Sequence, residues 1–395
     1  MTALSHFREP LRGTPFDART SAINRLHSWA AWSGYRSAQC YGDAEMEHSA
    51  IRNAATLYDI SPMMKYRITG PEAAAYLNRL TLRNAGRLEV GAVHYTAWTD
   101  DCGKIMDDGT LFRLGAQDFR LCCQERHLPW LLDSAFGFDV AIRDETDEVA
   151  ALALQGPTSA TVLREAGFDI DALRPFRMAG FPLGAGGVTI SRTGFTGDLG
   201  YELWVAPDDA LALWDLLMES GRLYGITPVG GEAVMLARTE AGFLTTNLDF
   251  IPAQQALREN RVRSPLELGL GWMIDWEKGH FTGRRALLAE YEGRTSKWAL
   301  VGLDIPGNIS AEGALLYHGQ RNEVGFVTAA CWSPTLKRNI AIAHVAAGHA
   351  DCRDLWVEIY ALRELQYHKR LLPVSPAARP FFSPARRRAT PPERF

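Results

Sequence analysis

The segment that decides the fold covers residues 95–108 and reads Tyr-Thr-Ala-Trp-Thr-Asp-Asp-Cys-Gly-Lys-Ile-Met-Asp-Asp. Its first five residues are mostly β-branched or aromatic, which favours a strand. The acids at 100 and 101 and Gly103 then favour a tight turn, because Asp tolerates turn geometry and glycine accepts a positive φ. A second strand follows and carries Asp107 and Asp108 side by side. We therefore predict a β-hairpin across this segment.

The two adjacent aspartates are the reactive groups of this hairpin. Successive strand residues point to opposite faces of a sheet, so Asp107 and Asp108 face different surroundings. Tyr95 lies on the partner strand, and together with Asp108 it can line a common pocket. The alternative interpretation is that both aspartates are solvated acids at the end of a turn.

Composition and charge limit the class of protein. A chain of 395 residues is longer than one hydrophobic core usually holds, so two or three domains are expected. The hydrophobic share of 47% and the charged share of 22% are ordinary for a globular protein. The net charge of -4 does not suggest a surface for nucleic acid or membranes, and no apolar run is long enough to span a bilayer. We therefore expect no nucleic-acid partner and no membrane association.

Cysteine usage and the N-terminus indicate the compartment. The six cysteines form no Cys-x-x-Cys pair and show no metal-ligand spacing, so no metal site is predicted. Cys122 and Cys123 fall in an apolar strand and are interpreted as packing residues. The first ten residues lack the apolar core of a signal peptide. A reduced, cytoplasmic protein is expected.

The pattern of elements divides the chain into regions. Residues 1–292 form one large region, which begins with an irregular arm of about 50 residues and contains an α+β unit over 58–144. The short polar segment at 293–297 is the predicted boundary. Short strands separated by turns then predict a small β-barrel or sandwich over 297–378. From Leu372 onward the sequence is rich in Pro and Arg, and 379–395 is interpreted as a tail that packs back in part through Phe381 and Phe382.

A glycine-rich loop lies over residues 191–202, Ser-Arg-Thr-Gly-Phe-Thr-Gly-Asp-Leu-Gly-Tyr-Glu, between two predicted strands. Three glycines in so short a span indicate that the backbone approaches other backbone or a ligand closely. A phosphate-binding Walker loop has a different spacing and ends in Gly-Lys-Ser or Gly-Lys-Thr, which is absent here. Nucleotide binding is therefore not predicted.

Several motifs together resemble the glycine cleavage T-protein family of tetrahydrofolate-dependent aminomethyltransferases. They occur in the family's order from about residue 58 to the C-terminus, whereas the first 50 residues match poorly. No single motif is specific, but the set is. The matching stretches lie at 58–61, 68–71, 103–108, 152–157, 192–202, 238–242, 281–283 and 333–341.

The resemblance implies an α+β fold of three domains, with folate at the centre and a C-terminal β-barrel. It implies that Asp108 is the catalytic residue, beside the reactive nitrogens of tetrahydrofolate. It also implies that Tyr95, Phe195, Glu202 and Arg238 bind this cofactor, with Glu202 accepting hydrogen bonds from the pterin. A carboxylate can pair with the donor edge of a pterin, and one beside the folate nitrogen can stabilise developing positive charge. The alternatives are an exposed strand residue for Glu202 and a plain core tyrosine for Tyr95.

Several positions depart from the family pattern. Pro62 replaces a histidine, Phe195 replaces a tyrosine and lacks its hydroxyl, and Val234 replaces an arginine that helps to hold folate. A Tyr-Gly pair becomes Thr246-Asn247. These changes affect the substrate cavity and the contacts to the folate tail. Because the glutamyl tail is anionic, we hypothesise that one of three tail residues supplies the missing charge, namely Arg386, Arg387 or Arg388.

The resemblance implies an enzyme that moves a methyl or aminomethyl-derived carbon from a small donor to tetrahydrofolate. Both a demethylase and an aminomethyltransferase stay open, and a lipoyl carrier protein is a further partner in the second case. The rival function is a non-catalytic folate-binding protein of the iron–sulfur-cluster maintenance type. Those relatives carry a Lys-Gly-Cys-Tyr-x-Gly-Gln-Glu motif, and the matching stretch at 278–285 lacks the cysteine.

A third option is a partner module of a flavin dehydrogenase, since such enzymes carry this fold at their C-terminus. No Gly-x-Gly-x-x-Gly motif follows a predicted strand here. Any flavin-binding chain would therefore be a separate protein.

Overall fold

The computed structural model of the protein describes residues 10–393 and arranges them as an α+β fold with a closed β-barrel. The strands are β1 Ser28–Trp32, β2 Tyr35–Cys40, β3 Thr56–Asp59, β4 Met64–Thr69, β5 Val93–Thr99, β6 Ile105–Gly115, β7 Asp118–Cys123, β8 Ala141–Asp144, β9 Ala150–Gln155, β10 Met178–Leu183, β11 Gly186–Ser191, β12 Gly200–Val205, β13 Thr227–Pro228, β14 Trp298–Ile305, β15 Leu315–His318, β16 Asn322–Ser333, β17 Arg338–Ala346, β18 Leu355–Arg363 and β19 Gln366–Ala377. The helices are α1 Asp17–Ile23, α2 Ala44–Asn53, α3 Ala73–Leu80, α4 Leu128–Ser134, α5 Ser159–Glu165, α6 Ala210–Ser220, α7 Gly231–Glu240 and α8 Arg284–Gly293. Among residues 10–393, no helix has both the length and the apolar character that a bilayer crossing requires.

The first large sheet contains the hairpin from which the sequence analysis began. Its five strands lie in the order β5-β6-β7-β4-β8, and every pairing is antiparallel. Strands β5 and β6 pair Ala97 with Asp108, and Gly103 in the turn has a φ of 72°, so the predicted hairpin is confirmed. Strand β6 continues without a break from Ile105 to Gly115.

The second large sheet carries the glycine-rich loop between β11 and β12. Its strands lie in the order β10-β11-β12-β9-β3-β13, and only the β13–β3 pair is parallel. This sheet packs against the first one through an apolar layer in which the rings of Phe112 and Trp204 lie 5.2 Å apart. The layer also contains Cys122, so its interpretation as a packing residue is confirmed. The packing brings β6 and β12, the strands of Asp108 and Glu202, into one body.

The C-terminal barrel is closed by six antiparallel strands in the order β14-β17-β16-β15-β18-β19. The expected barrel is therefore confirmed. The Pro- and Arg-rich sequence from Leu372 onward begins inside this barrel: residues 372–377 belong to β19, and residues 375–377 close the barrel by pairing with Gly302–Asp304. The prolines at 373 and 376 are unusual in this strand, since proline is usually depleted from paired strands.

The two ends of the described chain compare differently with the sequence expectation. The arm before residue 50 is more ordered than expected, because it contains α1 and the β1–β2 hairpin. The segment after Ala377 packs back as expected: the Phe381 side chain is buried and the Phe382 N–H donates to the Glu240 carbonyl at 2.9 Å. Residues 1–9 and 394–395, the ends of the predicted arm and tail, lie outside the described residues.

The stretch between α7 and α8 lies between the hairpin and the barrel. Its apolar residues Leu244, Phe250 and Leu268 share one core with Ala97 of β5 and Ile342 of β17. Backbone hydrogen bonds fix it to β6, where Ile105 donates to Arg263 and accepts from Ala253. This packing places residues 243–249, which we call the covering loop, next to the Asp107-Asp108 pair.

Candidate active site

Asp108 and Tyr95 meet on one face of the hairpin, as the sequence predicted. Tyr95 lies diagonally opposite Asp108, and its hydroxyl donates to Asp108 Oδ2 at 2.6 Å. Burial and the neighbouring Asp107 carboxylate raise the pKa of Asp108 to about 7. Burial also raises the pKa of Tyr95 well above its usual range, so this hydroxyl stays a donor.

Asp107 faces the opposite side and is fully buried. Its Oδ1 accepts from the Asp108 N–H at 2.9 Å, and its Oδ2 accepts from the Glu125 N–H at 3.2 Å. Its Oδ2 also lies 2.9 Å from His127 Nε2, and the amide nitrogen of Gln254 lies 3.1 Å from His127 Nδ1. Because an amide NH₂ can only donate, Nδ1 accepts, and the ring proton sits on Nε2 and points at Asp107.

Thr246 of the covering loop connects the two aspartates. Its hydroxyl lies 2.6 Å from Asp107 Oδ1 and 3.3 Å from Asp108 Oδ1. The next residue, Asn247, has a φ of 68°, a left-handed conformation that asparagine tolerates better than most residues. The sequence marked positions 246 and 247 as departures from the family pattern. It gave no signal that Thr246 would contact residues 138 and 139 positions away.

Glu202 is the third residue of β12, the strand into which the glycine-rich loop leads, and it is half-buried. Its Oε2 accepts from the Thr193 hydroxyl at 2.5 Å. Burial raises the pKa of Glu202 to about 7, against the opposing effect of that hydrogen bond. No cation pairs with Glu202 among the ion pairs of the described residues, so its other oxygen can accept from a ligand.

The glycines of this loop close the backbone over the Gln155 side chain. A β-carbon at Gly194 or at Gly200 would collide with that side chain. The Gln155 amide donates to the Tyr201 carbonyl at 3.1 Å, and its oxygen accepts from the Thr196 hydroxyl at 3.0 Å. The glycines therefore serve a close contact with protein, which agrees with the expectation that this loop is not a nucleotide cradle.

Phe195 joins the glycine-rich loop to the covering loop. Its ring lies 5.7 Å from the ring of Phe243 at an interplanar angle of 25°, and 39% of the residue stays exposed. Phe243 lies three positions before Thr246, which contacts Asp107 and Asp108. A chain of contacts thus connects the loop of Glu202 to the hairpin of Asp108.

Arg238 is buried and contacts the covering loop. Only 1% of the residue is exposed, so it offers no surface to a ligand. Its Nη1 donates to Asp249 Oδ2 at 2.5 Å and to the Phe243 carbonyl at 3.1 Å. Asp249 in turn accepts from the Thr245 N–H at 2.9 Å. In this structure Arg238 fixes both ends of the covering loop, and direct cofactor binding by this residue stays a prediction.

The three arginines of the tail have different surroundings. Arg386 donates twice to Asp198, at 2.7 Å each, so its charge is already paired. Arg388 is exposed. Arg387 is half-buried and its guanidinium lies 5.1 Å from the centre of the Phe243 ring, where burial lowers its pKa. Of the three, Arg387 lies beside the Phe195–Phe243 stack.

Arg192 and Trp272 extend the site at its edges. The guanidinium of Arg192 donates to the Ala389 carbonyl at 2.6 Å and to the Thr390 hydroxyl at 2.9 Å, which binds the tail to the glycine-rich loop. Trp272 lies 6.4 Å from the Tyr95 ring, 64% of it is exposed, and Arg83 lies 5.8 Å from its ring centre. Trp272 and Arg83 therefore form the rim on the Tyr95 side.

One cluster brings together groups that are able to ligate a metal. Ligand atoms of Asp107, Cys123 and His127 lie within 4.8 Å of one another, although their sequence spacing predicted no metal site. His127 faces Asp107 and Gln254, and the Cys123 thiol donates to the Glu125 carbonyl at 3.3 Å. We interpret the cluster as hydrogen-bonded.

Comparisons with known proteins agree with this geometry. The family model of the GCVT N-terminal domain matches residues 18–278. The family model of the glycine cleavage T-protein C-terminal barrel domain matches residues 299–382. The solved structure of glycine cleavage system aminomethyltransferase T from Bartonella henselae has a TM-score of 0.82 at 25% identity, covering 94% of this chain and 98% of that one.

Relatives of known activity cover most of the chain. An aminomethyltransferase from Halothermothrix orenii is 34% identical over 76% of this chain and 82% of its own length. One from Streptomyces coelicolor is 34% identical over 86% of this chain and 91% of its own length. A trimethylamine-oxide aldolase from Ruegeria pomeroyi is 33% identical over 87% of this chain but only 44% of its own length.

The fold and the paired carboxylates, together with these matches, define the class as the tetrahydrofolate-dependent one-carbon transferases. Within that class, the chain belongs to the glycine cleavage T-protein family.

Proposed function

We propose that the protein moves a one-carbon unit from a small methylated or aminomethylated donor to tetrahydrofolate, with the pterin between Glu202 and Asp108. The observation that carries this proposal is the pair of carboxylates on strands β6 and β12, which contacts of Phe195, Phe243 and Thr246 connect. Burial raises the pKa of each carboxylate to about 7. Such perturbed groups concentrate at functional sites.

The residues present fit a reduced pterin. Its edge is rich in N–H donors, and Glu202 offers a half-buried acceptor with only the Thr193 hydroxyl attached. Its flat face needs an apolar surface, which the partly exposed ring of Phe195 supplies. Because Phe195 has no hydroxyl, it contacts the pterin in this arrangement by aromatic stacking alone.

Asp108 orients the folate nitrogen that accepts the carbon and stabilises the positive charge that develops there. The Tyr95 hydroxyl holds its carboxylate in one orientation. With a pKa of about 7, Asp108 is partly ionised near neutral pH. Positioning within a site shielded from water supplies most of the rate in this scheme, and Asp108 is not required as a base.

Arg387 is the tail arginine that we assign to the anionic glutamyl end of folate. Arg386 is already paired with Asp198, and Arg388 points away into solvent. Arg387 lies next to Phe243, and the described residues offer its guanidinium no carboxylate partner. A guanidinium in this position can pair with a carboxylate through two hydrogen bonds.

Arg83 and Trp272 favour a donor that carries a carboxylate. The guanidinium of Arg83 is half-buried, burial lowers its pKa, and no carboxylate pairs with it within residues 10–393. The exposed Trp272 ring lies between Arg83 and Tyr95 and can hold the methylated group. Arg83→Gln should raise KM for a carboxylated N-methyl donor but not for an uncharged one, whereas the exposed Arg79→Gln should change neither.

The form in which the carbon donor arrives determines whether the protein needs a partner protein. An aminomethyltransferase would receive its donor on a lipoyl carrier protein, whereas a demethylase would take a free methylated compound. A cytoplasmic location fits the six cysteines, all of which are free.

The test is a screen of methylated amines, sulfonium compounds, methoxyaromatics and an aminomethylated lipoyl carrier with tetrahydrofolate. The products 5-methyl- and 5,10-methylene-tetrahydrofolate distinguish methyl from aminomethyl transfer. Asp108→Asn should slow turnover far more than it weakens folate binding, and the exposed turn variant Asp101→Asn should do neither. Folate binding without turnover on any donor would instead support the non-catalytic folate-binding function.

A further inference from the structure

We propose that His127 and Asp107 form a buried positioning pair that decides which of the two adjacent aspartates carries a proton. The inference rests on the proposed function, in which Asp108 faces the folate. Neither residue of the pair touches the ligand in this scheme. Their effect reaches the chemistry only through Asp108.

The donors around the two carboxylates are distributed unequally. Asp107 accepts four hydrogen bonds, from two backbone N–H groups, the Thr246 hydroxyl and His127 Nε2. Asp108 accepts a hydrogen bond of 2.6 Å from the Tyr95 hydroxyl and a longer one of 3.3 Å from the Thr246 hydroxyl. The Thr246 hydroxyl has one proton and lies 0.7 Å nearer to Asp107, 2.6 Å against 3.3 Å. The ionised form of Asp107 is therefore stabilised more than that of Asp108.

His127 is the only charge-capable donor to Asp107 in the described site. Its ring is fully buried and lies edge-on to Trp98 at 5.3 Å, so packing fixes its orientation. Gln254 sets its tautomer through Nδ1. The other ionisable groups near Asp108 lie on β5, β7, the loop after β7 and the covering loop, and they are Tyr95, Cys123, Glu125 and Asp249.

Removing the His127 donor should move the shared proton. Without that hydrogen bond, the negative charge on buried Asp107 becomes more costly, and a proton shared by the pair shifts from Asp108 to Asp107. Once Asp107 is neutral, it no longer repels charge on Asp108. Asp108 then ionises at a lower pH than in the native protein, where its pKa is about 7.

The experiment compares His127→Phe with His127→Gln in the full-length chain. Phenylalanine keeps the shape of the ring but donates nothing, whereas the glutamine amide can reach the position of Nε2. Aspartates labelled with ¹³C at the carboxyl carbon are titrated by NMR without folate, and the Asp108 signal is the one missing from Asp108→Asn. His127→Phe should lower the midpoint of that signal by at least about one pH unit, a tenfold change in the equilibrium. His127→Gln should leave it close to the native value.

Activity supplies the second readout. The acid limb of the pH–rate profile should move in the same direction in His127→Phe and stay in place in His127→Gln. The control is Tyr76→Phe, which removes a buried hydrogen bond of 2.8 Å to Leu131 in the same core and should change thermal stability alone. If the protein proves to transfer no carbon, the proposed function fails, but the folate-free titration still tests the positioning pair.

An unchanged Asp108 midpoint in a folded His127→Phe protein would overturn the inference. So would equal shifts in His127→Phe and His127→Gln, since these would reflect altered packing. If His127→Phe does not fold, His127→Leu removes the same donor to Asp107 with an apolar side chain, and it should also lower the Asp108 midpoint.

Discussion

The hydroxyl of Tyr95 donates a hydrogen bond of 2.6 Å to Oδ2 of Asp108, across the two strands of one hairpin. This contact orients the carboxylate without neutralising it. It also lowers the pKa of Asp108, against the larger effects of burial and of Asp107. The tyrosine therefore controls both the direction and the charge of the carboxylate that we assign to the folate nitrogen.

Tyr95→Phe should reduce kcat/KM about tenfold or more, because a hydrogen bond to a charged group contributes about 1.5–3 kcal/mol. Since that bond stabilises the ionised form of Asp108, its loss should raise the Asp108 pKa and move the acid limb of the pH–rate profile to higher pH. Steady-state kinetics between pH 5 and pH 9 measures both effects (roughly the range over which a group near 7 titrates). A profile that superimposes on that of the native protein would contradict the assignment of Tyr95.

Glu202→Gln should stabilise the folate-free protein at alkaline pH. Burial raises the pKa of Glu202 from 4.5 to about 7, so the folded state holds this proton more tightly than the unfolded chain. The corresponding stability is complete below pH 4.5 and is lost as the pH rises to about 7. Glutamine avoids this loss and should raise the free energy of unfolding at pH 8 by about 1–3 kcal/mol, with no gain at pH 4.

Urea denaturation at both pH values measures the Glu202 effect, and the exposed Glu292→Gln is the control. The same variant should bind reduced folate more weakly than the native protein. Increased stability with undiminished folate binding would show that Glu202 is buried for a structural reason.

Arg387→Gln should weaken the binding of tetrahydrofolate about tenfold, an energy of about 1.4 kcal/mol. The loss should be larger for folates with longer glutamyl chains and smaller at high salt, because the interaction is between charges. Isothermal calorimetry at two salt concentrations measures it. Arg388→Gln, one position away and exposed, should bind like the native protein, and equal losses in the two variants would argue for a diffuse electrostatic effect.

Arg238→Met should destabilise the fold by about 3–5 kcal/mol, because it leaves buried Asp249 without its ionic partner. The exposed pair Arg222–Glu219 provides the comparison, since Arg222→Met should cost no more than about 1 kcal/mol. Urea denaturation gives both values. A small effect at Arg238, combined with a large loss of folate affinity, would support direct cofactor binding by this residue instead.

Local chemistry explains which parts of the fold the sequence could predict. The turn at Gly103 and the alternation of the flanking strands are written in adjacent residues, so the hairpin and the Tyr95–Asp108 pair were predictable. The barrel could be predicted from a regular succession of short strands and turns. Its closing strand β19 contains prolines, a composition that is also typical of a tail.

The remaining parts of the site depend on contacts between distant segments. Thr246 reaches Asp107 across 139 positions, and His127 contacts it from the loop after β7. Nothing in the residues next to Thr246 or His127 specifies such a contact. The contact of Arg238 was hidden for a related reason: an arginine in a matching motif looks the same whether it contacts a ligand or a buried aspartate such as Asp249.

The tail that returns to the glycine-rich loop has a consequence for how the protein is made. Arg192 binds Ala389 and Thr390, and Asp198 binds Arg386, so the loop is secured by residues that lie almost 200 positions downstream. During synthesis on the ribosome, both sheets and the barrel can form before these residues emerge. The glycine-rich loop therefore gains these contacts only after residues 386–390 have been synthesised, so it is completed later than the strands on either side of it.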